Sequence, residues 1–258
     1  MSRKKEKRQQ EIISLLRSSP SMRINELAKL FNVTTETIRR DLDQMNKKGV
    51  LERTYGGAIV NSPQEPGLNV RHNLLVRERE AIAKQVVSEI KGGHHFMVGS
   101  GATTVHIARR MAAELGDITV IVHSFGVAME LSHNPTIRVL MAPGFYNPDE
   151  GANHGAHTLC FLDSFWADYA ILGASGLTAE GPSDALIDAG EVYAKMMARS
   201  FKTILAADKS KFDLKFPAQY ATWKEIHYLV TDQAPGEDLN RVLNQNEIDV
   251  QTVTPGFV

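Results

Sequence analysis

Short apolar segments alternate with helical stretches along most of this chain of 258 residues, and this alternation restricts the fold more than any other feature. Strands that are apolar throughout and separated by helices are typical of a mainly parallel sheet with helices on both faces. The fold class is therefore predicted to be α/β. The seven predicted strands are Phe96–Val98, Thr119–Val122, Arg138–Met141, Tyr169–Leu172, Thr203–Ala207, Tyr228–Thr231 and Asp249–Thr252.

The first 60 residues follow a different pattern, which predicts three amphipathic helices and a hairpin. Thr34 suits the N-cap of the third helix and Gly49 suits its end. Two short strands around a glycine-containing turn are expected at 50–54 and 58–60. This order is that of a small winged helix-turn-helix domain. Apolar residues recur at helical spacing within Ile12–Leu16, Ile24–Phe31 and Ile38–Met45.

A polar segment with two prolines and a glycine separates the two patterns. We expect the winged helix-turn-helix at 1–60, a linker at 61–70 and the α/β domain at 71–258. Residues 1–60 carry 13 Lys and Arg against 7 Asp and Glu, a net charge of +6, whereas the remainder carries 16 against 23, a net charge of −7. A basic head on an acidic body favours a polyanion partner for the head, although a solvated basic face without a partner is the alternative.

The sequence contains no apolar run near the ~20 residues that a membrane-spanning helix needs and no signal segment at its start. Cys160 is the only cysteine, so an intrachain disulfide is excluded, and a cytoplasmic location without a membrane partner is expected. We expect Cys160 to be buried and unreactive. His154 and His157 are three residues apart, but no acid or cysteine completes a metal set nearby. No metal and no cofactor are therefore predicted.

The third predicted helix turns its apolar residues to one face, which leaves polar residues on the other. A helix N-terminus with threonines and arginines suits the major groove, because hydroxyls and amides hold phosphates and an arginine can read guanine. An arginine in the wing would contact the backbone or the minor groove. An ordinary surface helix would carry the same charges, so both readings stay open. The candidate DNA-binding residues are Thr35, Thr37, Arg39, Arg40, Gln44, Arg53 and Tyr55.

Two strings in this region, TETIRRDL at 35–42 and GVLERTYGGA at 49–58, resemble the signature of DeoR-family transcriptional regulators. The signature includes the helix, the turn after it and the wing. The resemblance implies that these residues bind double-stranded operator DNA. Paired half-sites normally require paired heads, so a homodimer or homotetramer is expected.

A glycine-bearing turn follows the first predicted strand of the α/β domain and leads into a helix. Its amides and the hydroxyls of Ser100, Thr103 and Thr104 suit a phosphate or a carboxylate. The turn is not a dinucleotide fingerprint, because Thr104 stands at the third glycine position, and it is not a P-loop, because no lysine follows. A purely structural turn is the alternative. Further polar residues follow the other strands, at the edge where open α/β sheets bind ligands.

Residues 70–255 resemble the DeoR C-terminal sensor, a Rossmann-like fold related to ribose-5-phosphate isomerase. The resemblance implies a sugar phosphate or related sugar-derived effector. Departures from the family pattern at Gly99, Pro143, Asn147, Ser175 and either Tyr193 or Ala194 leave a sugar acid or an unphosphorylated compound as alternatives. The candidate effector-binding residues are Ser100, Gly101, Ala102, Thr103, Thr104, His123, Ser124, Gly144, Ser175, Asp184, Glu191, Asp208 and Lys211.

These features predict a ligand-controlled transcription regulator, a repressor of a carbohydrate catabolic operon, rather than an enzyme. One alternative is an aldose–ketose phosphate isomerase with a DNA-binding head. Proton transfer between neighbouring carbons needs a positioned base, and Ser175 stands where the family carries an acid, although Asp184 or Glu191 could substitute. A DNA-bridging protein whose body binds no ligand is the second alternative.

Overall fold

The computed structural model describes residues 3–18, 22–47, 51–54, 57–60 and 65–256. Two compact units divide the chain after Gln64. The second unit thus begins inside the predicted linker, because the residues from Glu65 onward pack with the α/β domain.

The first unit holds three helices and a two-stranded antiparallel sheet. The side chains of Ile12, Leu27, Ile38 and Leu42 are fully buried and form its core. Thr34 caps α3, since its hydroxyl accepts the Thr37 amide at 3.2 Å. The predicted Gly49 helix end lies outside the described residues. The elements are α1 (Arg3–Ser18), α2 (Ile24–Leu30), α3 (Thr35–Lys47), β1 (Leu51–Thr54) and β2 (Gly57–Val60).

The second unit is a seven-stranded sheet surrounded by helices, with two smaller antiparallel sheets at its edge. Its helices are α4 (Leu68–Arg71), α5 (Val76–Glu89), α6 (Ala102–Glu114), α7 (Phe125–Leu131), α8 (Ala156–Leu162), α9 (Ile187–Ala198) and α10 (Glu237–Gln245). Its strands are β3 (His95–Val98), β4 (Thr119–Val122), β5 (Arg138–Met141), β6 (Phe145–Asn147), β7 (Ala152–His154), β8 (Ala167–Leu172), β9 (Gly176–Thr178), β10 (Gly181–Asp184), β11 (Ser200–Ala206), β12 (Ala218–Gln219), β13 (Tyr228–Thr231) and β14 (Asp249–Thr252).

The large sheet has the strand order β14-β13-β11-β8-β3-β4-β5, and every neighbouring pair is parallel. The chain builds outward from β3 through β4 to β5 and then returns to β8 on the other side of β3. The connections that leave β3 and β8 therefore diverge and open a crevice at their carboxyl ends. All seven predicted strands belong to this sheet, so the predicted α/β architecture is confirmed.

Alternate residues of the strands enter two separate cores, one on each face of the sheet. In β3, Phe96 and Val98 pack with α5, α6 and α7, whereas Met97 packs with α8, α9 and α10. Buried apolar positions on both faces explain why the strands read as continuous apolar runs. No helix in the described part of the chain is long and apolar enough to cross a membrane.

Two details differ from the expectations. The small sheets β6-β7 and β12-β10-β9 were not predicted, since their strands are short and partly polar. Cys160, expected to be buried, is exposed. It lies on α8, which buries Thr158 and Leu162 four residues apart, and a residue midway between two such positions points to the opposite side of a helix.

Candidate functional site

The exposed face of α3 carries the polar groups expected to contact DNA. Ile38 and Leu42 are fully buried on the other face, so the helix orientation is fixed by the core. Arg39 and Arg40 are exposed. Arg40 pairs with Glu36 one turn earlier at 3.3 Å, and both side chains are mostly exposed. A surface pair of this kind is weak, so the arginine can exchange its partner for a phosphate or a base at little cost.

The other candidates of the first unit differ in how freely they can reach DNA. Thr35 is exposed, and the hydroxyl of Thr37 lies 2.9 Å from that of Thr34. Gln44 is half-buried and accepts a hydrogen bond from Gln9 at 3.3 Å, which ties its carbonyl to α1. Arg53 belongs to β1, where only its backbone is described, and Tyr55 lies outside the described residues.

A small cavity lies in the second unit at the carboxyl ends of β3 and β8. The loop after β3 forms one wall and the loop after β8 forms the opposite wall, as the diverging connections require. Eleven of the sixteen described residues that line the cavity are polar or charged, which suits a hydrophilic ligand. Its lining residues are Glu65, Arg71, Arg79, Ser100, Gly101, Ala102, Thr103, Thr104, Glu150, Gly173, Ala174, Ser175, Asp184, Ala185, Tyr193 and Lys211.

The loop between β3 and α6 offers amide donors to this cavity. Gly101 occupies the N-cap of α6 with φ +124°, a conformation that favours glycine, and no side chain caps the helix. The first amides of a helix have no partner within it, so they remain available to an anion at the positive end of the helix dipole. The Thr104 hydroxyl donates to the Gly101 carbonyl at 2.9 Å and stabilises the turn.

His123 holds this loop from behind rather than lining the cavity. Its Nε2 accepts the Ser100 amide at 3.1 Å, and its Nδ1 therefore donates to the Asn153 carbonyl at 2.8 Å. Full burial lowers the pKa of His123 to about 3. The ring is thus neutral at physiological pH, with one acceptor and one donor nitrogen, and it positions the loop without adding charge.

Tyr193 supports the same loop from α9. Its hydroxyl donates to the Ser100 carbonyl at 3.0 Å and lies 2.9 Å from the Ser100 hydroxyl. A Cβ atom on Gly99 would lie 2.9 Å from the Tyr193 ring, which is closer than real Cβ contacts. The small residue at position 99 therefore leaves the space that the Tyr193 ring occupies.

The cations of the cavity are each paired with a carboxylate. Arg71 donates to both oxygens of Glu150, at 2.6 Å to Oε1. Lys211 lies 2.5 Å from Glu65. Arg79 pairs with Asp208 at 3.2 Å, and these two side chains are only 3% and 0% exposed. Pairing of this kind is expected, because an unpaired buried charge is costly.

Ser175 and Asp184 form the acidic corner of the cavity. The Ser175 hydroxyl donates to Asp184 at 3.3 Å, and the Leu186 amide donates to the other oxygen of Asp184 at 3.0 Å. Burial nevertheless raises the pKa of Asp184. Within the described residues, no group of three or more His, Cys, Asp or Glu side chains is arranged to hold a metal ion.

Comparison with protein families identifies the two domains that carry this geometry. The DeoR-like helix-turn-helix domain matches residues 8–64, and the DeoR C terminal sensor domain matches residues 75–233. The chain belongs to the DeoR family. The exposed α3 surface therefore lies in the DeoR DNA-binding head, and the cavity lies in the DeoR sensor.

Relatives match nearly the whole chain. It is 27% identical over 249 residues to the HTH-type transcriptional repressor CsqR of Escherichia coli (strain K12), with 94% of each chain covered. The Glycerol-3-phosphate regulon repressor of the same strain is 27% identical over 255 residues, which cover 96% of this chain and 99% of the relative. The HTH-type transcriptional repressor GlcR of Bacillus subtilis (strain 168) is 26% identical and covers 95% of each chain. All three are named as repressors, and this DeoR protein is a transcription regulator, not an enzyme.

Likenesses to solved structures are partial. A D-ribose-5-phosphate isomerase in complex with phospho-erythronic acid shares 16% identity at a TM-score of 0.39, with 52% of each chain covered. The eIF2B beta of Chaetomium thermophilum shares 13% identity at a TM-score of 0.43, with 85% of this chain and 60% of that chain covered.

Eight of the predicted effector residues line the cavity of the DeoR sensor and five do not. His123 lies behind the loop, Ser124 caps α7, and Glu191 is exposed on α9. Gly144 allows close packing, since a Cβ there would lie 2.2 Å from the Thr158 hydroxyl. Asp208 holds Arg79 instead of lining the cavity. The eight that line it are Ser100, Gly101, Ala102, Thr103, Thr104, Ser175, Asp184 and Lys211.

Sequence reasoning missed five charged or polar residues of the cavity. Glu65, Arg71 and Arg79 precede the first strand of the sheet, so no strand end marks them. Glu150 lies in the turn between the two short strands β6 and β7. Tyr193 was marked only as a departure from the family pattern, which was the one signal available.

Proposed function

We propose that this DeoR regulator represses a carbohydrate catabolic operon and that a small anionic, sugar-derived effector, a sugar phosphate or a sugar acid, controls its binding to DNA. The observation that carries the proposal is the cavity at the carboxyl ends of β3 and β8. There the uncapped N-terminus of α6 and three buried cations surround a polar space. Relatives named as repressors, one of them of a glycerol-3-phosphate regulon, support the repressor role.

The DNA-binding role is assigned to the exposed face of α3. Arg39 and Arg40 would reach base edges or phosphates in the major groove, and Thr35 and Thr37 would contact phosphates near the helix N-terminus. Gln44 is restricted by its bond to Gln9, so it would act at the margin of this interface. The family match over residues 8–64 supports the assignment.

The effector role is assigned to the loop from Ser100 to Thr104 together with the cations opposite it. Amides at a helix N-terminus attract phosphate and carboxylate groups. Asp184 and Ser175 would accept and donate hydrogen bonds to sugar hydroxyls. The working unit is proposed to be a homodimer or homotetramer in the cytoplasm, because paired half-sites require paired heads.

A DNA-binding experiment tests the regulatory role. Fragments that cover the neighbourhood of the protein's own gene are titrated with the full chain in the presence of excess random DNA. Binding of one fragment at least about a thousandfold tighter than random DNA is expected, as for specific DNA-binding proteins. Equal affinity for all fragments would refute the proposal. Release of the bound fragment is then measured with sugar phosphates and sugar acids added one at a time.

A further inference from the structure

Glu65 places a carboxylate inside the cavity, between two of its cations. Its Oε1 lies 2.5 Å from Lys211 Nζ and 3.5 Å from Arg71 Nε. The side chain of Glu65 is 7% exposed, and those of the two cations are 11% exposed. Attraction between charges is strong where water is excluded. Glu65 therefore occupies the position that would hold an anionic group of a ligand.

The cations that line the cavity in the described part of the chain already have carboxylate partners. Three cations, Arg71, Arg79 and Lys211, line the cavity together with three carboxylates, and a fourth carboxylate, Asp208, pairs with Arg79 from outside the lining. Each of these cations is already paired within the described part of the chain. Burial raises the pKa of Glu150, and the nearby charge of Glu65 raises it further. A phosphate that enters the cavity would add to an excess of negative charge unless a carboxylate moved away from its cation. Ligand binding thus requires one internal carboxylate to give up its cation.

Glu65 is held less firmly by the backbone around it than Asp208 or Asp184. Asp208 is fully buried and accepts the Ser210 amide, and Asp184 accepts the Leu186 amide. Both are fixed to their own loops. By contrast, no backbone hydrogen bond among the described residues involves Glu65 or Pro66. The ion pairs of Glu65 therefore hold this segment in place.

Glu65 lies at the start of the second unit, so the loss of its ion pairs affects the chain next to the DNA-binding head. It is the first residue of the second unit and follows residues 61–64, which join that unit to the DNA-binding head. Release of its carboxylate frees the segment next to the head. Coupling between two sites needs an element whose state both can bias, and the residues that start at Glu65 are the part of the sensor nearest to the head along the chain.

We propose that Glu65 is a built-in competitor of the effector: an effector phosphate or carboxylate replaces it on Lys211 and Arg71 and thereby releases the segment that leads to the DNA-binding head. This inference rests on the proposed function of the cavity as an anion-binding effector site. It assigns Lys211 and Arg71 to the anionic group of the effector, and it explains how occupation of the cavity reaches the head.

Inorganic phosphate serves as the probe, measured by isothermal titration calorimetry on the full chain. Glu65→Gln keeps the shape of the side chain but removes the competing charge, so phosphate is expected to bind at least about tenfold tighter than to the wild type. The matched control is Glu180→Gln, since Glu180 also lies 2.5 Å from a lysine, Lys215, but at the exposed surface. This control should bind phosphate like the wild type. Lys211→Gln should lose phosphate binding.

Hydrogen–deuterium exchange of the peptide that covers residues 61–70 tests the release. In the wild type, phosphate should speed exchange in this peptide, and in Glu65→Gln exchange should be fast without phosphate. Equal phosphate affinity in the wild type and Glu65→Gln, or exchange that phosphate does not change, would overturn the competition and leave the effector site intact. Absence of phosphate binding to every variant would overturn the proposed anionic effector as well.

Discussion

The DNA-binding head and the sensor domain use their cations in opposite ways. On α3, Arg40 is mostly exposed and pairs with the exposed Glu36. In the sensor, Arg79 and Lys211 are buried, and each is paired with a buried carboxylate. An exposed cation meets any phosphate at little cost, whereas a buried one must exchange one partner for another. The head is therefore suited to bind DNA with steady affinity, and the sensor is suited to change state when a ligand arrives.

The largest effect is expected when a buried ion pair of the sensor is broken. Asp208→Ala leaves the Arg79 guanidinium buried without its carboxylate, which should lower the free energy of unfolding by about 3–5 kcal/mol. Both tryptophans, Trp166 and Trp223, belong to the second unit, so tryptophan fluorescence during urea unfolding reports on the sensor alone.

The matched change in the head is Glu36→Gln, which removes the exposed partner of Arg40. It should change the free energy of unfolding by less than about 0.5 kcal/mol, measured by far-ultraviolet circular dichroism. If Asp208→Ala costs no more than Glu36→Gln, burial does not distinguish the two ion pairs and the comparison fails.

A second prediction concerns whether the exposed Arg40 contacts a base or a phosphate of the DNA. If Arg40 reads a base, Arg40→Ala should weaken binding to the operator by about 1–3 kcal/mol more than binding to random DNA. Lys29→Ala is the control, because Lys29 is exposed on α2 and its loss should weaken both complexes alike. Affinities are measured over a series of salt concentrations. An equal loss on both DNAs in Arg40→Ala would assign Arg40 to phosphate instead.

The last prediction concerns a difference in pH dependence between the two regions. His123 has a pKa of about 3 in the folded sensor and about 6.5 when unfolded, so below pH 6.5 only the unfolded state binds the proton. Stability of the sensor should therefore fall by about 1 kcal/mol between pH 6.5 and 5.5 because of this group. All nine histidines lie in the second unit, so the head should lack the effect.

Urea unfolding at several pH values measures this difference, with tryptophan fluorescence for the sensor. His123→Gln should remove much of the loss, and a remainder is expected because burial also lowers the pKa of His154. A sensor stability that does not change between these two pH values would contradict the neutral, buried His123.

How far the sequence predicted the structure also differs between the two regions. In the head, the apolar spacing of Ile38 and Leu42 determines which face of α3 is exposed, so local pattern alone indicates the DNA-binding surface. The seven strands of the sensor could be predicted from the sequence equally well, since burial on both faces makes each strand an apolar run. Both predictions depend on neighbours in sequence.

The cavity could be predicted only in part, because it assembles residues from distant segments. Strand ends indicated Ser100–Thr104, Ser175 and Lys211. Glu65 and Arg71 precede the sheet and enter the cavity through tertiary packing, for which no local pattern exists. Asp208 follows a strand as expected, yet it turns toward Arg79, since a fully buried carboxylate needs a cation.

The most direct test of the account is a thermal-shift measurement of the purified full chain with sugar phosphates, sugar acids, free sugars and polyols. At ~100 times its Kd, an effector should raise the Tm of the sensor by about 5–10 °C. Thr103→Glu places a carboxylate at the α6 N-terminus and should abolish the rise, whereas Ala113→Glu, exposed near the other end of α6, should retain it. If no anionic compound raises the Tm, or if Thr103→Glu responds like the wild type, the cavity is not the effector site.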